Sequence, residues 1–178
     1  GRTIKTRFQS VALADQLSML EDRLLVTLGA RYQSLKDYAY DYDTGARLDS
    51  SYDEEVVTPT VGVLYKLTPS VSVYANYIEG LQKGERVGTS FSSAGAANAG
   101  EVLDPYETEQ AEVGVKYQGE QLGGSVSVYR SSKPIVGMND ANVYEELYDQ
   151  DNTGVELMAY GNLTRDLSVL GGVSFLDA

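Results

Sequence analysis

The sequence predicts an all-β chain, an antiparallel up-and-down meander of about eight strands. Side chains alternate apolar and polar through about eight separate segments, which is the period of a strand with two unlike faces. Four short turns join strand ends at one end of the meander, and long polar connections join them at the other.

The clearest element lies within residues 103–119. From Gln110 onward, Ala111, Val113, Val115 and Tyr117 point one way and Glu112, Gly114, Lys116 and Gln118 the other. In chain order, residues 3–18 read as a long first strand, and Glu21-Asp22 as a short turn. Leu24, Val26, Leu28, Ala30 and Tyr32 make the next apolar face. Residues 36–55 read as a long acidic connection containing Tyr-Asp-Tyr-Asp-Thr-Gly. Val57, Pro59, Val61, Val63 and Tyr65 follow, and Thr68-Pro69 turns the chain because proline presets the turn dihedral. Val71, Val73, Ala75 and Tyr77 then alternate with Ser70, Ser72, Tyr74 and Asn76.

Residues 80–104, rich in Gly, Ser and Ala, read as the longest connection. After the turn at 118–120, Leu122, Val126 and Val128 oppose Ser125, Ser127 and Tyr129. Residues 131–142 read as a third irregular connection. Val155, Leu157 and Ala159 form the next face, 162–166 the last short turn, and Leu167, Val169, Gly171, Val173 and Phe175 the closing strand.

Composition removes several kinds of chemistry. With 178 residues the chain is within the size of one domain, and it has no Cys and no His. A disulfide framework, a thiolate metal site and a serine triad of the usual kind are therefore excluded. The formal charge of −12 argues against nucleic acid, whose phosphates need Lys and Arg to displace counterions. No run of 18 apolar residues exists, but strands that cross a membrane carry an alternating signal that hydropathy windows average away.

The short turns fall near Asp22, Pro69, Gly119 and Arg165, spaced by 46–50 residues. Short turns at one end and long loops at the other match an outer-membrane barrel. Tyrosine placement agrees: Tyr65 and Tyr117 lie close to short turns, whereas Tyr32, Tyr77 and Tyr129 lie further along their strands. At about 45° tilt a strand climbs roughly 2.3 Å per residue, which puts the second group roughly 18–23 Å higher. That separation approaches the height of a lipid band between two aromatic girdles.

Four strings resemble one family: residues 22–33 (DRLLVTLGARYQ), 70–84 (SVSVYANYIEGLQKG), 98–119 (NAGEVLDPYETEQAEVGVKYQG) and 152–178 (NTGVELMAYGNLTRDLSVLGGVSFLDA). They are similar to strands in the C-terminal half of TonB-dependent siderophore receptors, in the ferrichrome-type or hydroxamate subgroup. Tyr106 stands where many members have Glu, and Thr153 where Arg often precedes the glycine. The resemblance implies a 22-stranded transmembrane β-barrel with an N-terminal plug and a TonB-contacting segment. Residues 1–178 then read as a partial barrel domain that lacks the plug and the terminal strands. The implied role is part of a receptor in the outer membrane of a Gram-negative bacterium, binding ferric siderophore and importing it with TonB-transmitted energy. Its other implied neighbours are lipopolysaccharide and, for the isolated fragment, further copies of itself. No catalysis, resident cofactor or structural metal is expected. The competing readings are a passive porin or adhesin segment and a soluble β-sheet binding module.

Candidate site residues follow from charge. Residues 36–55 hold seven acids and two bases, and 139–152 hold five acids and no base. Placed at an extracellular mouth, they would repel anionic catecholate or citrate complexes over a Debye length of roughly 8 Å. Neutral or cationic hydroxamate complexes would instead meet tyrosines through apolar and hydrogen-bonding contact. Tyr38, Tyr40, Tyr42, Tyr144 and Tyr148 are the expected ligand contacts, the alternative being acids that hold divalent cations bridging lipopolysaccharide. Tyr-Asp-Tyr-Asp-Thr-Gly lacks the distal bidentate Glu of a calcium loop and reads as a solvated turn. Glu112, Lys116 and Glu156 are expected to line a lumen.

Overall fold

A computed structural model of the protein describes residues 2–47, 52–88 and 92–177; parts of the predicted acidic and Gly/Ser/Ala connections lie outside them. The strands are β1 (Arg2–Met19), β2 (Leu24–Asp41), β3 (Tyr52–Lys66), β4 (Val71–Gln82), β5 (Tyr106–Gln118), β6 (Leu122–Met138), β7 (Tyr144–Asn162) and β8 (Ser168–Asp177). They form one eight-stranded sheet in sequence order, and every neighbouring pair is antiparallel. Among the described residues there is no helix. The up-and-down meander expected from the alternation is the fold.

Register converts the alternation into two faces. Met19, Leu24, Tyr65, Val73, Val115, Val126, Leu157 and Val173 lie opposite one another in turn, so one row across all the strands is apolar. One residue along, the row is Ser18, Leu25, Leu64, Tyr74, Gly114, Ser127, Glu156 and Ser174. The apolar face is left uncovered: Leu13 is 81% exposed, Phe175 63% and Val173 56%. The polar face is the concave one. A cavity of about 480 Å³ is lined by residues from Gln16 of β1 to Tyr160 of β7, with Thr27, Asn76 and Lys116 between them.

The four short turns stand where the sequence placed them. Two are copies. In Leu67-Thr68-Pro69-Ser70-Val71 the amide of Leu67 donates to the carbonyl of Val71 at 2.9 Å, and in Leu163-Thr164-Arg165-Asp166-Leu167 the amide of Leu163 donates to Leu167 at 2.9 Å. Threonine at the second place holds each turn, accepting the amides of Ser70 and Val71 at 3.2 and 3.0 Å, and that of Asp166 at 3.3 Å. The β1–β2 turn is of another kind, with Leu20, Glu21 and Asp22 all left-handed at φ 55°, 55° and 63°.

At the opposite end the strands run on further than the alternation indicates. β2 continues to Asp41 rather than stopping at Tyr32, and β6 and β7 leave only 139–143 as their connection. In the β2 extension the buried side mixes polar and apolar residues, Gln33, Leu35, Asp37 and Ala39, so side-chain polarity no longer reports the pleat while the ladder continues. Cross-strand ion pairs hold these extensions, Lys36 with Asp53 at 2.7 Å and Arg130 with Asp151 at 2.6 Å. A bulge between Ile135 and Val136 leaves Leu147 as the extra residue on β7.

Tyr129 departs from the girdle expectation. It pairs with Glu112 and Gly154 and so sits on the polar face, whereas Tyr32, Tyr65, Tyr77 and Tyr117 sit on the apolar one. Three polar-face tyrosines lie flat across a glycine of the next strand. A Cβ on Gly114 would come 2.7 Å from the Tyr74 ring, one on Gly154 2.4 Å from Tyr129, and one on Gly123 2.6 Å from Tyr160. The missing side chain is what lets the ring reach across the sheet. Tyr160 donates to Gln118 two strands away at 2.6 Å, and Tyr74 donates to Glu112 at 2.5 Å.

Two outcomes follow. Gly114→Ala in the intact folded protein should cost about 1–3 kcal/mol by overpacking against Tyr74. In a Tyr74→Ser background the same change should cost well under half of that, read as a double-mutant cycle from urea unfolding. The isolated 178-residue chain, whose β1 and β8 edges are unpaired, should associate in detergent-free buffer. Sedimentation velocity showing a stable monomer there would contradict this.

Candidate functional site

The strand extensions and their connections form a rim at the end opposite the short turns. Its best-packed part was the least legible in the sequence. Residues 83–88 and 92–105 fold back onto the β6–β7 hairpin around Val87, Ala96 and Tyr144, which are 1%, 6% and 2% exposed, with Leu103, Val136 and Met138 against them. Asn98 fastens the two pieces. Its side-chain oxygen accepts the amide of Tyr144 at 2.9 Å, and its side-chain nitrogen donates to the carbonyl of Tyr144 at 2.9 Å. Asn142, left-handed at φ 60°, adds a second fastening: its side-chain nitrogen donates to Gly95 at 2.9 Å and its carbonyl accepts Ala97 at 2.7 Å. Paired asparagines flanking small residues in two separate connections were the one signal of this contact in the sequence.

The expected ligand tyrosines divide between two hairpins. Tyr38 and Tyr40 are half-buried on β2, and Tyr42 follows in the β2–β3 connection at 72% exposed. The guanidinium of Arg47 lies 4.6 Å from the centre of the Tyr38 ring, a cation–π contact that ties the hairpin tip to its strand. Tyr148 is 61% exposed on β7, opposite Ile135. Tyr144 is buried, its hydroxyl 3.3 Å from Ser92 and also bonded to Glu85, and burial pushes its ionisation upward. It shapes the rim from within instead of presenting a ring to solvent.

The Tyr-Asp-Tyr-Asp-Thr-Gly stretch has a structural explanation. Asp41 accepts the amides of Asp43 and Thr44 at 3.1 and 2.8 Å and the Thr44 hydroxyl at 2.8 Å, which holds its carboxyl below the usual carboxylate range. It caps the turn whose φ 70° is supplied by Gly45. Among the described residues no group of three acidic side chains is placed to hold a metal ion.

Much of the rim's negative charge is answered locally. Asp53 and Glu55 meet Lys36 at 2.7 and 3.9 Å, Asp37 meets Lys83, and Asp151 meets Arg130. Lower on the polar wall, Glu112 takes the Tyr74 hydroxyl, and Ser127 and Glu156 stand in the adjacent row, in register with Gly114. These groups orient hydrogen bonds; no nucleophile–base pair stands among them. On the apolar face Tyr77 donates to Glu79 and Glu109 at 2.7 and 2.8 Å, marking where that face becomes polar.

Removing the Asn98 side chain should free residues 83–105. In Asn98→Ala, amide exchange at Val87 and Tyr144 is expected to rise about tenfold or more, the loss of two buried hydrogen bonds, while exchange in β4 and β5 stays unchanged. Equal protection in both proteins would count against the clamp.

A family model described as TonB dependent receptor-like, beta-barrel matches residues 1–178. The ferrichrome receptor FcuA of Yersinia enterocolitica is 32% identical over 178 residues, covering 98% of this chain and 23% of that protein. The ferrioxamine B receptor of Salmonella typhimurium is 28% identical over 180 residues, again 97% of this chain and 23% of the relative. The crystal structure of BauA, the ferric preacinetobactin receptor of Acinetobacter baumannii, superposes with a TM-score of 0.79 at 31% identity, over 98% of this chain and 25% of its own. The chain thus spans about a quarter of the length of the proteins it matches. They are receptors and not enzymes, in keeping with a wall that orders hydrogen bonds and holds no reacting pair. On the matched length and the shared fold, this chain belongs to the TonB-dependent receptor β-barrel family.

Proposed function

We propose that the chain is part of an outer-membrane receptor of a Gram-negative bacterium that binds a ferric siderophore of the hydroxamate class and imports it with energy transmitted by TonB. The observation that carries this reading is the two-faced sheet: a continuous apolar row outside, a polar wall inside, short turns at one end and an ordered rim at the other. In the intact protein a plug and further strands complete the barrel, and TonB acts through the region before this segment. The apolar face meets membrane lipid, with lipopolysaccharide at the rim.

Ligand class rests on two supports. Two relatives matched in sequence along nearly the whole chain are named for ferrichrome and ferrioxamine B, both hydroxamates, while BauA, matched over the same length, is named for ferric preacinetobactin. The catecholate receptor Fiu of Escherichia coli matches in sequence over 130 residues at 26% identity, although its structure shares the fold over 98% of this chain. The rim also supplies aromatic surface and more carboxylates than cations, which suits a neutral or cationic iron complex better than an anionic one. Tyr38, Tyr40, Tyr42 and Tyr148 are the proposed contacts, and Tyr144 acts from beneath by holding the connection at 83–105.

In the full receptor, replacing Tyr38, Tyr40 and Tyr42 together by Ala should weaken binding of a ferric hydroxamate about tenfold to a hundredfold, or about 1.4–2.8 kcal/mol. Uptake of radiolabelled iron by cells carrying the receptor is the check. Growth on ferric catecholates and none on hydroxamates would overturn the ligand class.

A further inference from the structure

One ionisable side chain stands in the wrong place for a lipid-facing wall. Asp15 lies on β1 in the same alternation as Val11, Leu13, Leu17 and Met19, which pair with Tyr32, Ala30, Val26 and Leu24 of the apolar face. Its neighbour Gln16 lines the concave cavity, so Asp15 points away from it. The side chain is exposed.

Its depth is central. Asp15 is five residues from the turn at Leu20, which at roughly 2.3 Å of climb per residue is about 12 Å above it. The tyrosines bounding the apolar band, Tyr65 and Tyr117 below and Tyr77 and Tyr32 above, stand on the same scale at about 5 Å and about 16–21 Å. A carboxylate midway between them costs several kcal/mol in hydrocarbon, and such groups are found where a partner meets them.

Within this sheet the carboxylate accepts only the backbone amide of the adjacent Gln16, at 2.9 Å, which leaves its charge unanswered. Directly opposite Asp15 on β2 is Leu28, the diagonal neighbours are Val26 and Ala30, and along β1 the same-face neighbours are Leu13 and Leu17. Beyond that amide a short Asp side chain reaches only its near neighbours on the same face, cross-strand about 4.5–5.5 Å away directly and about 7–8 Å diagonally. All five of these neighbours are hydrocarbon. The remaining direction is the free edge of β1, an 18-residue strand with no partner on that side among the described residues.

We infer that Asp15 is the recognition point of this edge: the strand that pairs with β1 in the intact receptor places a hydrogen-bond donor, a Lys or Arg side chain, on its lipid-facing side opposite Asp15. The pair neutralises a charge in the lipid band and sets the register of the junction, because a slip by one residue would carry Asp15's partner to the concave face. This rests on the membrane-spanning part of the proposed function but not on the ligand. Siderophore uptake by the unsubstituted receptor tests that part separately.

The test uses the full receptor in lipid bilayers. Asp15→Leu is expected to shift the unfolding equilibrium about tenfold toward the unfolded state, since it strands a donor. If Asp15 stood in the lipid band without a partner, the same change would stabilise the protein, and that result would overturn the inference. Should Asp15→Leu fail to assemble, Asp15→Lys provides the second arm. Single Glu substitutions scanned along the lipid-facing positions of the neighbouring strand should restore the folded, heat-modifiable band at one position only. Rescue at none of them, or equally at all, would sink the pairing.

Discussion

Register in the antiparallel ladder is the constraint on which the rest of this structure depends. Side chains repeat every two residues, so a one-residue slip between any two strands would turn an apolar face into the lumen and a polar one outward. From Met19 to Val173 one row stays apolar across every strand, and the next row carries Tyr74, Ser127 and Glu156. The register itself is pinned by features of two kinds. Tight turns with a threonine acceptor set it at the hairpins. Tyrosine rings lying over Gly114, Gly123 and Gly154 set it between them, since each ring finds room at one position only.

These tyrosine–glycine pairs also explain an odd composition. Eighteen glycines in a strand-rich chain would weaken it if each simply lost a side chain. Here several are receiving sites for a neighbouring side chain, and a larger residue would remove the space. The wall is smooth where the rings lie flat, and the polar atoms they carry are directed to Gln118 and Glu112 rather than left unmatched.

At the rim the forces are different. Apolar packing is confined to small groups, Val87, Ala96 and Tyr144 with their neighbours, and Leu35 and Ala39 on β2, and the described parts of the connection at 83–105 are held chiefly by asparagine side chains reading backbone groups. Lys36, Lys83 and Arg130 answer several of the acids there. Formal charge counted along the sequence therefore overstates the field that an approaching ligand meets. Exposed pairs of this kind contribute little stability, about 0–1 kcal/mol each, and their effect is to organise the surface.

Strand identity, the apolar face and the short turns were legible because each depends on neighbours close in sequence: alternation for strands, Pro69 and Gly119 for turns. The resemblance to siderophore receptors was legible for the same reason, being carried by contiguous strings within single hairpins. Strand length above the band was not, because polar and apolar residues mix on each face of the β2 and β6 extensions and hide the pleat that backbone pairing continues. Tyr129 was counted with the girdle on its distance from the turn alone, although its alternation with Val126 and Val128 already sets it on the polar face, where the register places it. The burial of Tyr144 could not be read either, since it depends on Asn98, 46 residues away along the chain. Local periodicity determined what each segment is; only tertiary structure decided which distant side chains meet, because those contacts depend on register and loop packing that no short stretch encodes.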